Sequence, residues 1–244
     1  MGNKQVTIKI ADICIGIKSQ NKGWEYFCRD YMVDEEPDFI LEATETDIEG
    51  EQKHIAEYMD GAQYSSFEAE KLWIYREIAE VIPSYDSFLI HGAAVRVDED
   101  AYLFLGPSGA GKTTHARLWR ECFGGRFSVI NDDKPIIKLT DDEIMVCGSP
   151  WSGKERWKNN IAAPLRSVVC IHQAEENRIE RMPISDCWNS IMNQAYRTRD
   201  TANMKKTLDL FDKVINTTPF FSLNCRKSID AVELAYKKLR DEIQ

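Results

Sequence analysis

The chain lacks a positive charge balance. Thirty-one Lys and Arg stand against forty Asp and Glu, a net charge of −9, which disfavours a partner gripped through its phosphate backbone. Nucleic acid is therefore not expected as a substrate. Paired cysteines are also missing. The seven cysteines are scattered, odd in number and never spaced C-x-x-C, so reduced thiols are expected rather than a disulfide framework or a zinc site, and no structural metal is expected. No apolar run approaches the ~18 residues of a membrane span, and the opening "MGNKQVTIKIADICIGIKSQ" has no signal-peptide h-region. A cytoplasmic protein with no membrane partner is the expectation. "MGNKQV" carries Val where a myristoylation start needs Ser or Thr. Internal repeats, low-complexity tracts and a base-reading motif of the guanine type are absent as well.

What is present is enough for a real core. With 244 residues, 43% of them hydrophobic, the chain suits one domain or one domain with an appendage. Residues 1–85 read as N-terminal strands and a helix packing on the core, and residues 86–244 as a nucleotide-binding domain. "QVTIKIADICIGIK" and "PDFILEAT" are strand candidates, while "YMVDEEPD" and "ETDIEGEQKH" read as solvated acidic connections. "SSFEAEKLWIYREIAEVIP" spaces Phe67, Ile74, Ile78 and Val81 as a helix, with Ser before it, Pro83 after it, and Trp73 and Tyr75 as packing residues. "FLIHGAAVRV" and "AYLFL" form a hairpin around "DED". A helix over 112–122, a strand "FSVIND", two strands in "KPIIKLTDDEIMVCG", a strand "LRSVVCIHQ", helices near 185–197 and 201–216, a strand "FFSLN" and a helix from Ser228 complete the order.

One segment carries chemistry openly. "GPSGAGKT", Gly106 to Thr113, satisfies G-x-x-x-x-G-K-[ST] between a strand and a helix. Gly106, Pro107, Ser108, Gly109, Ala110 and Gly111 are expected to turn backbone N–H groups toward phosphate oxygens, with the helix N-terminus adding its partial positive charge. Lys112 reaches the β- and γ-phosphates, Thr113 offers a hydroxyl to Mg²⁺, and Thr114 follows at the mouth of the loop. The expected ligand is a nucleoside triphosphate, ATP above all.

"VINDD" ends an apolar strand in Asp132 and Asp133, a position from which a carboxylate carries metal beside a phosphate loop. One acid would ligate Mg²⁺ and the other accept a proton from an attacking hydroxyl, and their repulsion is expected to split their pKa values. Which does which is open. If the hairpin forms, Gly106 lies near the level of His91 and Gly92, so His91 would touch the phosphates or the acid pair. "GSPWSGKERWKNN" then supplies Lys154, with Arg156 and Lys158 close by, as a cation for the transferred phosphoryl group. His115, Arg117 and Trp119 are assigned to packing and solvent.

"HGAAV", "FLGPSGAGKTTHARLW", "NDDKP" and "GSPWSGK", in this order, resemble the HPr kinase/phosphorylase and phosphoenolpyruvate carboxykinase superfamily, and more closely its compact HPr-kinase-like proteins. The resemblance covers residues 88–175 well. It implies an α/β P-loop domain with a mixed sheet, ATP and Mg²⁺ as cofactors, and a homo-oligomer, while the small N-terminal β-rich layer is read from the strand candidates ahead of that domain. It also implies a catalytic centre of His91, Gly106 to Thr113, Asp132 and Asp133. The carboxyl-terminal signature for the HPr carrier is missing, and 244 residues leave no place for the extra positions of a carboxykinase. The expectation is thus a kinase acting on a hydroxyl of a peptide, protein or small molecule. The rival readings are a nucleotide-sensing or ATP-hydrolysing interaction module without a phosphoacceptor, and a protein that only binds nucleotide.

Overall fold

A computed structural model describes residues 4–58 and 64–242. The chain opens with a hairpin of β1 (Lys4–Ile10) and β2 (Ile13–Ser19), turned at Ala11 and Asp12, whose φ values of 50° and 56° are left-handed. The short helix α1 (Gly23–Phe27) follows, and β3 (Phe39–Glu42) then adds parallel to β2. Helix α2 (Glu45–Tyr58) occupies the stretch expected to be an acidic connection. Its helical period is sparse: Glu51 and Ile55 are buried and Ile48 is half-buried, and the Glu51 carboxylate receives Arg76 of the next helix at 2.9 Å. Helix α3 (Ser66–Val81) begins where the sequence placed it, at a capping box between Ser65 and Glu68. It buries Ile74 and Ile78 against the three-stranded sheet, with Trp73 and Tyr75 packed alongside.

The second sheet begins with β4 (Ser87–Leu89), β5 (Ala93–Val97) and β6 (Asp100–Leu105), which leads into α4 (Lys112–Phe123). Next come β7 (Phe127–Asn131), β8 (Ile136–Leu139), β9 (Ile144–Cys147), β10 (Ala162–Gln173) and β11 (Arg178–Arg181). Helices α5 (Ile184–Gln194) and α6 (Thr201–Thr217), strand β12 (Phe220–Cys225) and helix α7 (Ile229–Asp241) close the chain. The strand order is β4-β8-β9-β10-β6-β5-β7, with β12 beside β10 and β11 beside β12. It is a mixed sheet. β6, β10 and β12 run parallel, and the other pairings are antiparallel.

Alternation along β6 shows how two layers are filled. Tyr102 and Phe104 face Trp119 of α4 and the buried side of α7, while Leu103 and Leu105 face α5 and α6. A third core joins the N-terminal sheet and α3 to Leu89, Ile136, Cys147 and Trp151, so the small layer packs on the β4-β8-β9 end of the large sheet.

The single strand expected over 88–97 is in fact broken. β4 pairs with β8, and β5 pairs with β6 and β7, because the chain changes partners at residues 90–92. There Ile90 donates to the Pro135 carbonyl and His91 to that of Gln194. Among the described residues no helix is long and apolar enough to cross a membrane.

Candidate functional site

The loop after β6 is shaped by three left-handed glycines, Gly106 at φ 143°, Gly109 at 83° and Gly111 at 104°. At Gly106 a side chain has no room, since a Cβ would stand 3.1 Å from the Ile171 carbonyl oxygen. Gly111 caps α4, and the next residue, Lys112, is buried. Its ammonium donates to the carbonyls of Gly106 (2.7 Å) and Pro107 (3.2 Å). Ala110 N–H closes a turn on Pro107, and Gln173 at the end of β10 donates to the Gly109 carbonyl at 2.7 Å. Thr113 and Thr114 are half-buried on the first turn of α4, and Ser108 is exposed at the loop tip.

Directly after β7 the chain turns through Asp132 and Asp133 about a residue that sequence reasoning passed over. Asn131 has no exposed surface. Its Oδ1 accepts the N–H groups of Asp133 (2.9 Å) and Lys134 (2.6 Å), an Asx turn, while its Nδ2 donates to the carbonyls of Ser149 (3.1 Å) and Trp151 (2.8 Å). One carboxamide therefore fastens the acid turn to the "GSPW" loop. Ser149 reinforces the clasp by donating its hydroxyl to the Lys134 carbonyl, and Tyr31 of the N-terminal layer donates to the Ser149 carbonyl. The available signal was an Asn standing directly before a polar turn.

Asp132 is only 6% exposed. Its carboxylate accepts the N–H of Gly153 at 2.6 Å and, more loosely, that of Trp157 at 3.4 Å. Burial pushes its pKa above the usual carboxylate value, against the lowering effect of these N–H groups. Asp133 moves the other way. Burial alone would raise it, but the His91 ring, with Nε2 3.0 Å from Oδ1, and the Lys134 ammonium, 3.1 Å from Oδ2, hold it below the usual value. The two acids thus split as expected, but not mainly by mutual repulsion: burial leads for both, and the Asp133 charge is a lesser influence on Asp132. Lys112 is lowered by burial, with the nearby Asp133 charge working to raise it, so loop and acid pair share one electrostatic site.

His91 and Gly92 run beside the end of β6. The Gly92 N–H donates to the Asp133 carbonyl, and a Cβ at Gly92 would stand 2.9 Å from the Phe104 carbonyl oxygen. Of the two contacts open to His91, the structure shows the one to the acid pair.

No family model matches the sequence. No curated protein matches it either. Among solved structures the chain is similar to the Hpr(Ser) kinase/phosphatase from Coxiella burnetii, with 9% identity and a TM-score of 0.37, covering 64% of this chain and 97% of that one. A likeness this shallow transfers no reaction, and the chemistry rests on this chain's own residues.

The expected basic cluster does not stay together. Lys158 turns away into the N-terminal layer, donating to the carbonyls of Pro150 and Phe27 with its ammonium 4.5 Å from the Phe27 ring centroid. Arg156 is exposed in a left-handed conformation (φ 56°), its N–H on the Gly153 carbonyl, and Lys154 is exposed on the same turn, next to the glycine that touches Asp132. His115 and Trp119 pack as assigned: Trp119 donates to buried His115 at 2.9 Å, and burial lowers the imidazole to about 4.

A cavity of about 500 Å³ opens beside the phosphate loop, between Gly111, Thr114 and Leu118 on one side and Gln173, Glu175 and Arg226 on the other. It sits at the carboxyl ends of the parallel strands β10 and β12, where open α/β sheets place ligands. For a metal, the hard oxygen donors are the two carboxylates after β7 and the Thr113 hydroxyl on the first turn of α4; among the described residues no three His, Cys, Asp or Glu side chains gather as a metal site. That set suits Mg²⁺, which needs only one or two protein carboxylates alongside phosphate oxygens.

Proposed function

We propose that the chain is an ATP- and Mg²⁺-dependent phosphotransferase that moves the γ-phosphoryl group onto a hydroxyl of a peptide, protein or small-molecule acceptor. The observation that carries this reading is the meeting of a glycine-turned loop and its buried Lys112 with a carboxylate pair whose members are pushed in opposite directions. A binding module needs the loop. It does not need one acid held ionised and its neighbour held basic.

In this reading the loop amides of Gly106 to Thr113 and the Lys112 ammonium hold the phosphates, and the nucleoside lies in the adjoining cavity. Thr113 and Asp133 would hold Mg²⁺, which would offset the charge of the phosphates. Asp133 takes this part because it stays ionised and is the charge that Lys112 senses; His91 orients it. Asp132, with its raised pKa, takes the proton as the acceptor oxygen bonds to the γ-phosphorus and the bond to the β,γ-bridging oxygen breaks, releasing ADP. Lys154 supplies positive charge for the phosphoryl oxygens.

The test is incubation with γ-labelled ATP and Mg²⁺, with and without an extract of the source cells. Label is expected in a discrete acceptor. Lys112→Ala should weaken ATP binding about 10- to 100-fold, the worth of one charge-assisted hydrogen bond, while Asp132→Asn should cut transfer by about 10²–10⁴ and keep ATP binding. Full transfer by Asp132→Asn would remove its role as base. Phosphate release alone would favour the ATP-hydrolysing module.

A further inference from the structure

Arg120 and Arg156 line one groove beside β7. The groove, of about 380 Å³, is bounded by Arg120 of α4, Phe127, Arg156, Trp157, the stem of Lys158 and Asn159. None of the lining residues is acidic, although the whole chain carries a net charge of −9. Trp157 organises this surface: the guanidinium groups of Arg117 and Arg120 each lie 5.8 Å from its ring centroid. Arg117 is then neutralised by Glu155 at 2.5 Å. Arg120 and Arg156 are both exposed, and neither forms an ion pair among the described residues.

The groove is tied to the proposed base. The backbone of Trp157 brackets Asp132, accepting its N–H at 3.0 Å and donating to its carboxylate. Arg156 is linked through its N–H to the Gly153 carbonyl, and Gly153 in turn donates to Asp132. β7 is also the last strand on its side of the sheet, and residues 157–159 cover the outer edge of its carboxyl end, Asn159 donating its N–H to the Ile130 carbonyl and its side chain to that of Val129. The groove floor is therefore the 157–159 segment, and its charge rather than a free strand edge selects the occupant.

We propose that this groove docks an acidic peptide segment of a protein acceptor, with its carboxylates on Arg120 and Arg156 and its hydroxyl directed to Asp132. The proposal rests on the phosphotransferase reading and names its acceptor class. Charge complementarity selects the occupant: two exposed cations in a groove with no acidic residue in its lining, on a protein of net charge −9.

The test is fluorescence anisotropy with three labelled serine peptides, flanked by Glu, by Gln or by Lys, on the full chain. Wild type should prefer the Glu-flanked peptide. Both the R120E/R156E and R120Q/R156Q variants should weaken it, the former by about tenfold or more. Arg178→Glu, on β11 at the opposite sheet edge, should change nothing. ATP affinity, measured in parallel, should be the same in all these proteins. Equal affinity for the three peptides, no binding of the Glu peptide, or retained affinity in both double variants would overturn the proposal. Loss of ATP binding in wild type, or ATP binding indifferent to Lys112→Ala, would instead strike the phosphotransferase reading and leave the peptide result interpretable.

Discussion

Replacing Asn131 separates the acid turn from the loop that embraces it, and the size of the effect can be worked from its contacts. In Asn131→Ala the Ser149 carbonyl keeps Tyr31, but the Trp151 carbonyl loses its donor, because the Ser149 hydroxyl proton goes to the Lys134 carbonyl, and the N–H groups of Asp133 and Lys134 lose their acceptor. The two orphaned donors alone, at about 1–3 kcal/mol each, amount to roughly 2–6 kcal/mol, a large share of the ~5–15 kcal/mol that holds a domain together. Asn131→Asp is nearly isosteric, and it should cost at least as much at neutral pH. The new carboxylate oxygen would face the Ser149 and Trp151 carbonyls, beside Asp132 and Asp133, in a site without solvent exposure. Its charged form is disfavoured on folding, so its folded pKa is raised. The penalty is then full above that raised value and shrinks as pH falls toward the unfolded value of about 3.9. Urea unfolding followed by circular dichroism, with unchanged m-values, measures both variants. Either variant unfolding within about 1 kcal/mol of wild type at neutral pH would refute the clasp as described.

His91→Ala removes one of the groups that hold Asp133 below its usual pKa. A depressed carboxylate contributes stability that is fully present above the ordinary Asp value of about 3.9 and lost as pH falls through the folded value. The stability gap between wild type and His91→Ala, measured without nucleotide, should therefore be widest near neutrality and close in acid; a pH-independent gap would mean that His91 only packs. Gly148→Ala tests the approach of the "GSPW" loop to the segment that leads into β10. A Cβ there would stand 1.9 Å from the Asn159 carbonyl oxygen, so a loss of about 3 kcal/mol or more is expected in urea unfolding, and a neutral substitution would show the loop free to move.

Local chemistry made several parts of this protein legible without a structure. A G-x-x-x-x-G-K-T run between an apolar strand and an amphipathic helix specifies its own turn, because glycine tolerates the left-handed φ at Gly106, Gly109 and Gly111. The capping box of α3 and the paired strands around the acidic turn at residues 140–143 were readable for the same reason, since each is decided within a few residues. Helix α2 was not, because its burial depends on three residues meeting α3 and its remaining surface reads as a loop.

Long-range partners decided the rest. The break at residues 90–92 is made by carbonyls of Pro135 and Gln194, and the division of the basic loop is made by Phe27 and Pro150, which draw Lys158 inward and leave Arg156 outside. The role of Asn131 has the same origin. A side chain with two donors and an acceptor is polar in any sequence, and only the arrival of Ser149 and Trp151 from 18 and 20 residues away turns it into the clasp of the acid pair. The sequence by itself determined the loop and the acids. The tertiary structure decided that the pKa of Asp132 is shifted up and that of Asp133 down, because burial and the partners His91, Lys134 and Gly153 exist only once the layers have packed.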